Sequence, residues 1–356
     1  MRVGILTGGG DCPGLNAVIR AVVTKGERQY GDEVVGFRNG WAGVMEGDVM
    51  PLSAERCRDI LPLGGTILDT SRANPYATEG GAEAVRATLD REAVDGLIAV
   101  GGDDTLGVAG KLAADGASIV GVPKTIDNDL GVTEVTFGFH TAVQTATEAI
   151  DRLRTTAESH HRVMVVEVMG RDAGWIATYA GIAGGATEIL IPEEPFSMSG
   201  LCERLLAHHD RDVSASIVVV AEGARPEGGE VITQTDQRDA FGHVRLGGIS
   251  RLVADEIEAR TGFETRLTVL GHVQRGGTPT AFDRVLATRF GIAAIDAVHD
   301  GRWGQATVLQ SNEINLAPLA DLTGQARLVD RDLFETVAGA LVSLPTSVLG
   351  ESPDPP

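Results

Sequence analysis

Cysteine is scarce in this chain. Cys12, Cys57 and Cys202 are the only three, and their spacing makes neither a zinc-ligand pattern nor a disulfide framework. Such usage suits a reducing cytoplasm. Basic residues are in deficit, 30 against 50 acidic, for a net charge of -20. That surface repels nucleic acid and anionic lipid, so neither is an expected partner. An anionic substrate must instead meet a local cluster of Arg and Lys, or a metal ion. No apolar run approaches the roughly 20 residues of a membrane helix. Residues 1–6 read as a strand and lack the long apolar stretch of a signal peptide. What remains is 356 residues of ordinary globular apolar content, enough for two domains.

Glycine is plentiful, and much of it follows apolar runs. Residues 118–122 read as a buried strand, and Pro123 is expected to end its ladder hydrogen bonding. Lys124-Thr125-Ile126-Asp127-Asn128-Asp129 then sets a cation, a hydroxyl and two carboxylates within six residues. A second run, 95–100, leads into Gly101-Gly102-Asp103-Asp104-Thr105. Ligands of open α/β sheets gather outside the carboxyl ends of strands. Two carboxylate-bearing strand ends, one of them Gly-rich, therefore suggest a phosphate and Mg²⁺ site. A third strand, 3–6, runs into Gly8-Gly9-Gly10 before a helix predicted over 17–30. Bare glycines let backbone N–H groups approach phosphate oxygens. The pattern is not a P-loop, since no Gly-Lys-Ser/Thr closes it, nor does it have dinucleotide Gly-x-Gly-x-x-Gly spacing. Taken alone it is equally a tight strand-to-helix turn. The loop 63–72 is also Gly-rich and ends in Arg72; an isolated loop Arg is usually only solvated.

The second half repeats the style. Strands are predicted at 163–168, 189–191, 216–220 and 266–270, and helices at 139–156, 174–184, 246–260 and 281–298. Strand ends carry Met169-Gly170-Arg171, Glu222 and Gly271–Gly277. A polar, turn-rich segment, 225–242, interrupts. Alternating strands and helices predict an α/β fold with a mostly parallel sheet in each half. The tail 351–356 is Pro-rich and expected to be disordered.

Six motifs together give the chain a family resemblance. They are Gly-Gly-Gly-Asp-Cys-Pro-Gly-Leu-Asn (8–16), Gly-Gly-Thr-Ile-Leu-Asp-Thr-Ser-Arg (64–72), Gly-Gly-Asp-Asp-Thr (101–105), Pro-Lys-Thr-Ile-Asp-Asn-Asp (123–129), Met-Gly-Arg (169–171) and Leu-Gly-His-Val-Gln-Arg-Gly-Gly (270–277). Over residues 1 to about 326 the chain resembles the phosphofructokinases, the actinobacterial short-chain group in particular. The resemblance implies two Rossmann-like parallel-sheet domains with the active site in the cleft between them. It implies a phosphoryl-donor domain of 1–138 plus about 251–300, and a fructose-phosphate domain of 139–250 plus about 301–325. Residues 326–350 would form a helical extension. Asp127 would be the base for the 1-hydroxyl of fructose 6-phosphate, a role a carboxylate suits because that hydroxyl loses its proton as it attacks phosphorus. Thr125 and Arg171 would steady the transferred group. Asp103 would hold Mg²⁺, which takes oxygen ligands, and Asp129 would help the metal or orient the base. Gly10 and Arg72 would meet the donor phosphates. Ile126, Met169, Gly170, Glu222, Val273 and Gln274 would line the sugar site. His272 and Arg275 would bind the 6-phosphate, with Arg162 and Arg266 reaching it from a neighbouring subunit. A shared site implies a homo-oligomer, and tetramers are common in the family.

Asp104 and Lys124 bear on the phosphoryl donor. ATP-using members commonly carry Gly at both positions. A carboxylate at 104 puts bulk and negative charge where the α-phosphate of ATP would lie. A like charge at about 4 Å in a partly dry cleft costs on the order of 4 kcal/mol, nearly a thousandfold in binding. Pyrophosphate ends before that point. Lys124 adds a compact cation beside the leaving phosphate. For Asp104 the plainer role is a helix N-terminal carboxylate favoured by the macrodipole. The pair resembles the pyrophosphate-dependent members, so the expected activity is reversible phosphoryl transfer from pyrophosphate to fructose 6-phosphate, in glycolysis or gluconeogenesis. The alternative is an ATP-dependent 6-phosphofructokinase. A non-catalytic sensor would have no need of Asp103, Thr125, Asp127 and Arg171 together. A NAD- or lipid-type kinase would share Gly-Gly-Asp but not Met-Gly-Arg. Thr24 stands where regulated relatives carry a cation near Arg20, and 208–212 lacks their Lys pair, so control by ADP or phosphoenolpyruvate is expected to be weak. Two departures from the family pattern are His140, where Asp is usual, and Asp69, where Gly is usual.

Overall fold

A computed structural model describes residues 1–210, 215–238, 241–242 and 244–339. The predicted tail and residues 340–350 of the predicted helical extension lie outside the described residues, as do 211 and 212. In chain order the strands are β1 (Arg2–Thr7), β2 (Glu33–Phe37), β3 (Val49–Leu52), β4 (Gly96–Gly101), β5 (Ile119–Thr125), β6 (Phe137–Gly138), β7 (Val163–Val168), β8 (Glu188–Leu190), β9 (Ser216–Ala221), β10 (Thr233–Arg238), β11 (Val244–Leu246), β12 (Thr265–Val269), β13 (Gln305–Gln310) and β14 (Glu313–Pro318). The chain divides into two compact units. The first takes Met1–Ala142, Gln237–Val244 and Val273–Arg327; the second takes Val143–Asp236, Arg245–His272 and the chain from Leu328.

In the first unit the strand order is β14-β13-β5-β4-β1-β2-β3, with β6 beside β5. The inner pairs are parallel, whereas β2–β3 and β13–β14 are antiparallel and form the edges. β4 and β5 are buried along their whole length, as expected of strands covered on both faces. Leu6, Phe37, Leu97 and Ile119 pack with helix residues Trp41, Val85 and Leu106. The second unit has a four-stranded, all-parallel sheet, β12-β7-β9-β8. Its core joins Val163, Val165, Val218 and Val220 to Leu201, Val253 and Ile257 from helices. β10, within the segment read as turns, pairs with β11 just beyond it in a two-stranded ribbon.

Three expectations change. Pro123 does not end its strand: β5 continues to Thr125. It falls where β5 leaves β13, paired at Gly121, and before it meets β6 at Lys124; a residue without an N–H is tolerated at such a break in the ladder. Of the segment expected with the first unit, 251–272 belongs with the second, because β12 pairs with β7. Conversely, 301–325 belongs with the first unit, because β13 pairs with β5. The helix predicted over 17–30 spans Leu15–Lys25 and then widens into a π-helical turn, Gly26–Tyr30.

One ion pair in the second unit is deeply set. Glu188 on β8 is 2% exposed, and Arg204 grips it with two parallel bonds of 2.8 and 2.9 Å. Burial raises the Glu188 pKa above the usual range although Arg204 opposes it. Removing the cation leaves a buried carboxylate uncompensated. Arg204→Ala should therefore cost about 3 kcal/mol of stability, measured by denaturant unfolding.

Candidate active site

The first unit gathers its polar groups at the carboxyl ends of β1, β4 and β5. Gly8 N donates to the carbonyl of Val100, and Gly9 N to that of Ser71. The Gly-rich turn is thus fixed to both neighbouring segments. Thr70 Oγ1 donates to the Gly9 carbonyl at 2.6 Å, and Thr7 Oγ1 to that of Asp69 at 2.9 Å. The Asn16 amide spans the next loop, giving to Leu63 and Gly64 and accepting from Ile67 N. These bonds hold Arg72 at the exposed rim beside the turn. Asp69 has φ 53, a conformation Asp tolerates better than most residues, which explains how it can stand in for the usual Gly.

Lys124 is 3% exposed, and its Nζ donates to the Gly10 carbonyl at 2.5 Å. Burial pushes its pKa below the usual lysine range; Arg275 adds to this, while Cys12, Asp127 and Asp11 oppose it. Cys12 itself is fully buried, and burial drives its thiol well above the ordinary range. Arg275 lies against the same turn: a Cβ on Gly10 would meet its Nη1 at 2.7 Å, and Nη1 reaches the Asp11 carbonyl at 3.4 Å. A side chain at position 10 would have to push this guanidinium aside.

Gly101 of β4 pairs with Pro123 of β5, so the residues just beyond, Gly102–Asp104 and Lys124–Thr125, emerge side by side. Both aspartates lie in the first turn of the helix Asp103–Ala114, where the macrodipole favours negative charge. Asp103 is exposed and its Oδ1 accepts from Gly324 N at 2.8 Å. Among the described residues no group of three or more side chains forms a metal cage. A divalent cation that keeps several waters and takes one or two carboxylates plus substrate phosphates fits this donor set.

Beyond β5 the chain locks Asp127 in place. Asp127 N donates to Thr125 Oγ1 at 3.0 Å, and Thr136 Oγ1 donates to the Thr125 carbonyl at 2.8 Å. Asn128 turns at φ 54 and accepts from Thr136 N at 2.9 Å. The Asp127 carboxylate is 5% exposed and its buried Oδ1 has no hydrogen-bond partner. Such a group is costly without a partner, and it suits an incoming hydroxyl. Arg327 N closes the turn on the Asp129 carbonyl at 2.7 Å. Ile126 is fully buried. Gln274 is likewise buried, whereas Val273 is 62% exposed. His140 packs between Phe139 and Phe282, and burial keeps its pKa low; it serves as a largely apolar ring.

The second unit builds its own strand-end cluster. Glu222, after β9, accepts from Arg171 N at 3.2 Å. Arg171 has φ 53 and Gly170 φ 142, so the turn after β7 is tight. A Cβ on Gly223 would meet the Arg171 carbonyl at 2.0 Å. Met169 is buried beside this turn. Arg162 and Arg266 lie elsewhere, before β7 and at the start of β12, both held by Glu264, with Arg162 at 2.8 Å. His272 is exposed, at the start of a 3₁₀ turn, Gly271–Arg275. Sequence reasoning assigned no role to Asn16, to Cys12 or to Glu193, which accepts from Gly174 N. Asn16 stood within a quoted motif; Glu193 carried no signal.

A recess of about 350 Å³ near Arg20 is lined by Thr24, Arg28 and Arg58 together with Glu27 and Glu55. Separately, no described helix is long and apolar enough to cross a membrane.

Comparison with known proteins agrees with this architecture. The chain is 60% identical over 335 residues to a pyrophosphate--fructose 6-phosphate 1-phosphotransferase of Amycolatopsis methanolica, covering 94% of this chain and 98% of that one. It is 50% identical over 339 residues to an ATP-dependent 6-phosphofructokinase of Mycobacterium tuberculosis, covering 95% and 99%. Its fold matches a crystal structure of a pyrophosphate-dependent phosphofructokinase from Marinobacter aquaeolei, with TM-score 0.80 at 22% identity over 100% of this chain and 93% of that one. The phosphofructokinase family model matches residues 2–298, and on that match and these identities the chain belongs to the phosphofructokinase family.

Proposed function

We propose that the chain transfers a phosphoryl group reversibly from pyrophosphate to the 1-hydroxyl of fructose 6-phosphate, giving fructose 1,6-bisphosphate and phosphate. The observation that carries the donor assignment is the pair at adjacent strand ends: the buried Lys124 ammonium against the Gly10 turn, and Asp104 in the first turn of the next helix. A donor ending at its second phosphate finds a cation and bare backbone there. A nucleotide would bring its α-phosphate towards a carboxylate. Relatives named for pyrophosphate stand at 56–60% identity, and the first ATP-named ones at 50%.

Asp127 takes the proton from the sugar 1-hydroxyl as its oxygen attacks phosphorus; the fixed turn aims the carboxylate and the unpartnered Oδ1 accepts the hydrogen bond. Thr125 and Arg171 steady the transferred group, and Lys124 with Arg72 offsets charge on the departing phosphate. Mg²⁺, held at Asp103, supplies charge neutralisation on the phosphates when bound. Met169, Gly170 and Glu222 receive the sugar.

The sugar 6-phosphate also calls for a second copy. Arg162 precedes β7 and Arg266 begins β12, whereas Arg171 and Glu222 follow the far ends of β7 and β9. Six residues of strand at about 3.3 Å each separate the two sets by roughly 20 Å. One chain therefore cannot bring both to one sugar phosphate, and a homo-oligomer, a dimer or tetramer, can. The exposed Val273, Phe282 and Val285 suit such an association. Three free, buried cysteines suit a reducing cytoplasm. In the recess near Arg20, Glu27 and Glu55 offset much of the arginine charge, so ADP and phosphoenolpyruvate should exert little control.

A coupled assay with fructose 6-phosphate and Mg²⁺ should give turnover with pyrophosphate and little with ATP; preferential use of ATP would refute the donor assignment. Asp104→Gly should shift the ATP-to-pyrophosphate ratio of kcat/KM upwards by at least about tenfold, the low end of the charge penalty. Asp127→Asn should lower kcat by about 10³-fold with a far smaller change in either KM. Because burial lowers the Lys124 pKa, pyrophosphate kcat/KM should fall as pH rises, at a pH below the usual lysine range, as the ammonium loses its proton.

A further inference from the structure

The turn that carries Arg171 is held by two carboxylates. Glu222 takes its N–H at Arg171. Glu193, three residues beyond β8, takes the N–H of Gly174 with both oxygens, at 3.0 and 3.1 Å. The same Glu193 Oε1 also accepts from Val329 N at 2.9 Å. Val329 is 7% exposed, so this piece of the C-terminal segment lies packed within the second unit. Gly174 caps the helix Trp175–Ala183, and a carboxylate at a helix N-terminus is favoured by the macrodipole. The fit is close: a Cβ on Gly174 would meet Ile191 Cβ at 2.5 Å and Glu193 Oε2 at 2.9 Å. Pro192 Cγ and the Arg171 carbonyl in turn crowd Gly223. The segment 169–174 is thus wedged between 191–193 and 222–223, and its ends are bonded to one glutamate each.

We infer that Glu193 is a positioning residue for the sugar-phosphate side of the reaction, and that it makes the segment around Val329 part of the support of that site. Glu193 touches neither substrate nor reacting atoms in this account. It fixes where the 169–174 turn leaves its strand, and hence where Met169, Gly170 and Arg171 stand. Arg171 occupies a left-handed conformation that an ordinary residue adopts only under local constraint. Without the bond at Gly174 that constraint loosens at one end. The inference rests on the proposed acceptor role of 169–171.

The test compares Glu193→Ala with Glu193→Gln in the full chain. The glutamine carbonyl keeps an acceptor at Oε1, where both Gly174 N and Val329 N converge, so it should rescue. Glu193→Ala should raise the KM for fructose 6-phosphate about tenfold, the scale of one or two lost backbone bonds to a charged group. The KM for pyrophosphate should stay within about twofold. A purely structural loss lowers the active fraction and leaves both KM values alone; that outcome would overturn the inference, as would failure of glutamine to rescue. Hydrogen exchange without any substrate supplies a readout independent of activity. Amides of 169–174 should exchange faster in Glu193→Ala and at the wild-type rate in Glu193→Gln, and unchanged exchange in the alanine variant would also overturn it. If wild type fails to turn over fructose 6-phosphate, the acceptor reading falls, while the exchange result still reports on Glu193.

Discussion

A buried ammonium is the constraint on which the first unit depends. Lys124 sits at 3% exposure on a strand buried on both faces. Burial disfavours its charge, so the surroundings must supply acceptors. They do so through the Gly10 carbonyl, which dictates the path of the Gly-rich turn, and that path dictates the threonine bonds that fix 66–70. Glycine at 10 leaves room for the Arg275 guanidinium on its other side. On the proposed donor role, an anion entering here meets two cations already arranged. The cost of holding them apart from water has been met by the fold.

Much of this was legible in the sequence because parallel α/β architecture puts function at a place that can be counted. Apolar runs identify the strands, and the residue after each run is then a candidate. Thus Gly10, Asp103, Asp127, Arg171 and Glu222 all stand just beyond strands found by pattern alone. The Asp pair at 103–104 forms the first turn of its helix, which leaves both carboxylates at the same strand end.

What escaped were relations between distant segments. Nothing local in 265–269 says that it pairs with β7, or in 305–310 that it pairs with β5; both runs are short, and either sheet could take them. The boundary between units therefore moved. Pro123 misled for a related reason: its missing N–H matters only if a neighbour needs it, and the neighbour changes there. Glu193 had no motif around it because its partners are backbone N–H groups, which leave no mark on composition.

The two accounts of Asp104, helix-stabilising carboxylate and donor-excluding carboxylate, are one physical statement. A helix N-terminus at the end of a parallel strand is an anion site. In a nucleotide-using enzyme such a position can serve a phosphate. A side-chain carboxylate placed in that first turn meets the same dipole permanently, and on the proposed donor assignment it removes the site from competition. Exclusion then carries no penalty in stability, because the charge that repels a third phosphate also favours the helix. In the same proposal Lys124, on the adjacent strand end, acts on the opposite side of the balance: its charge would serve the two phosphates that remain. On the proposed assignment, donor length is set by where fixed negative charge begins along the line of strand ends.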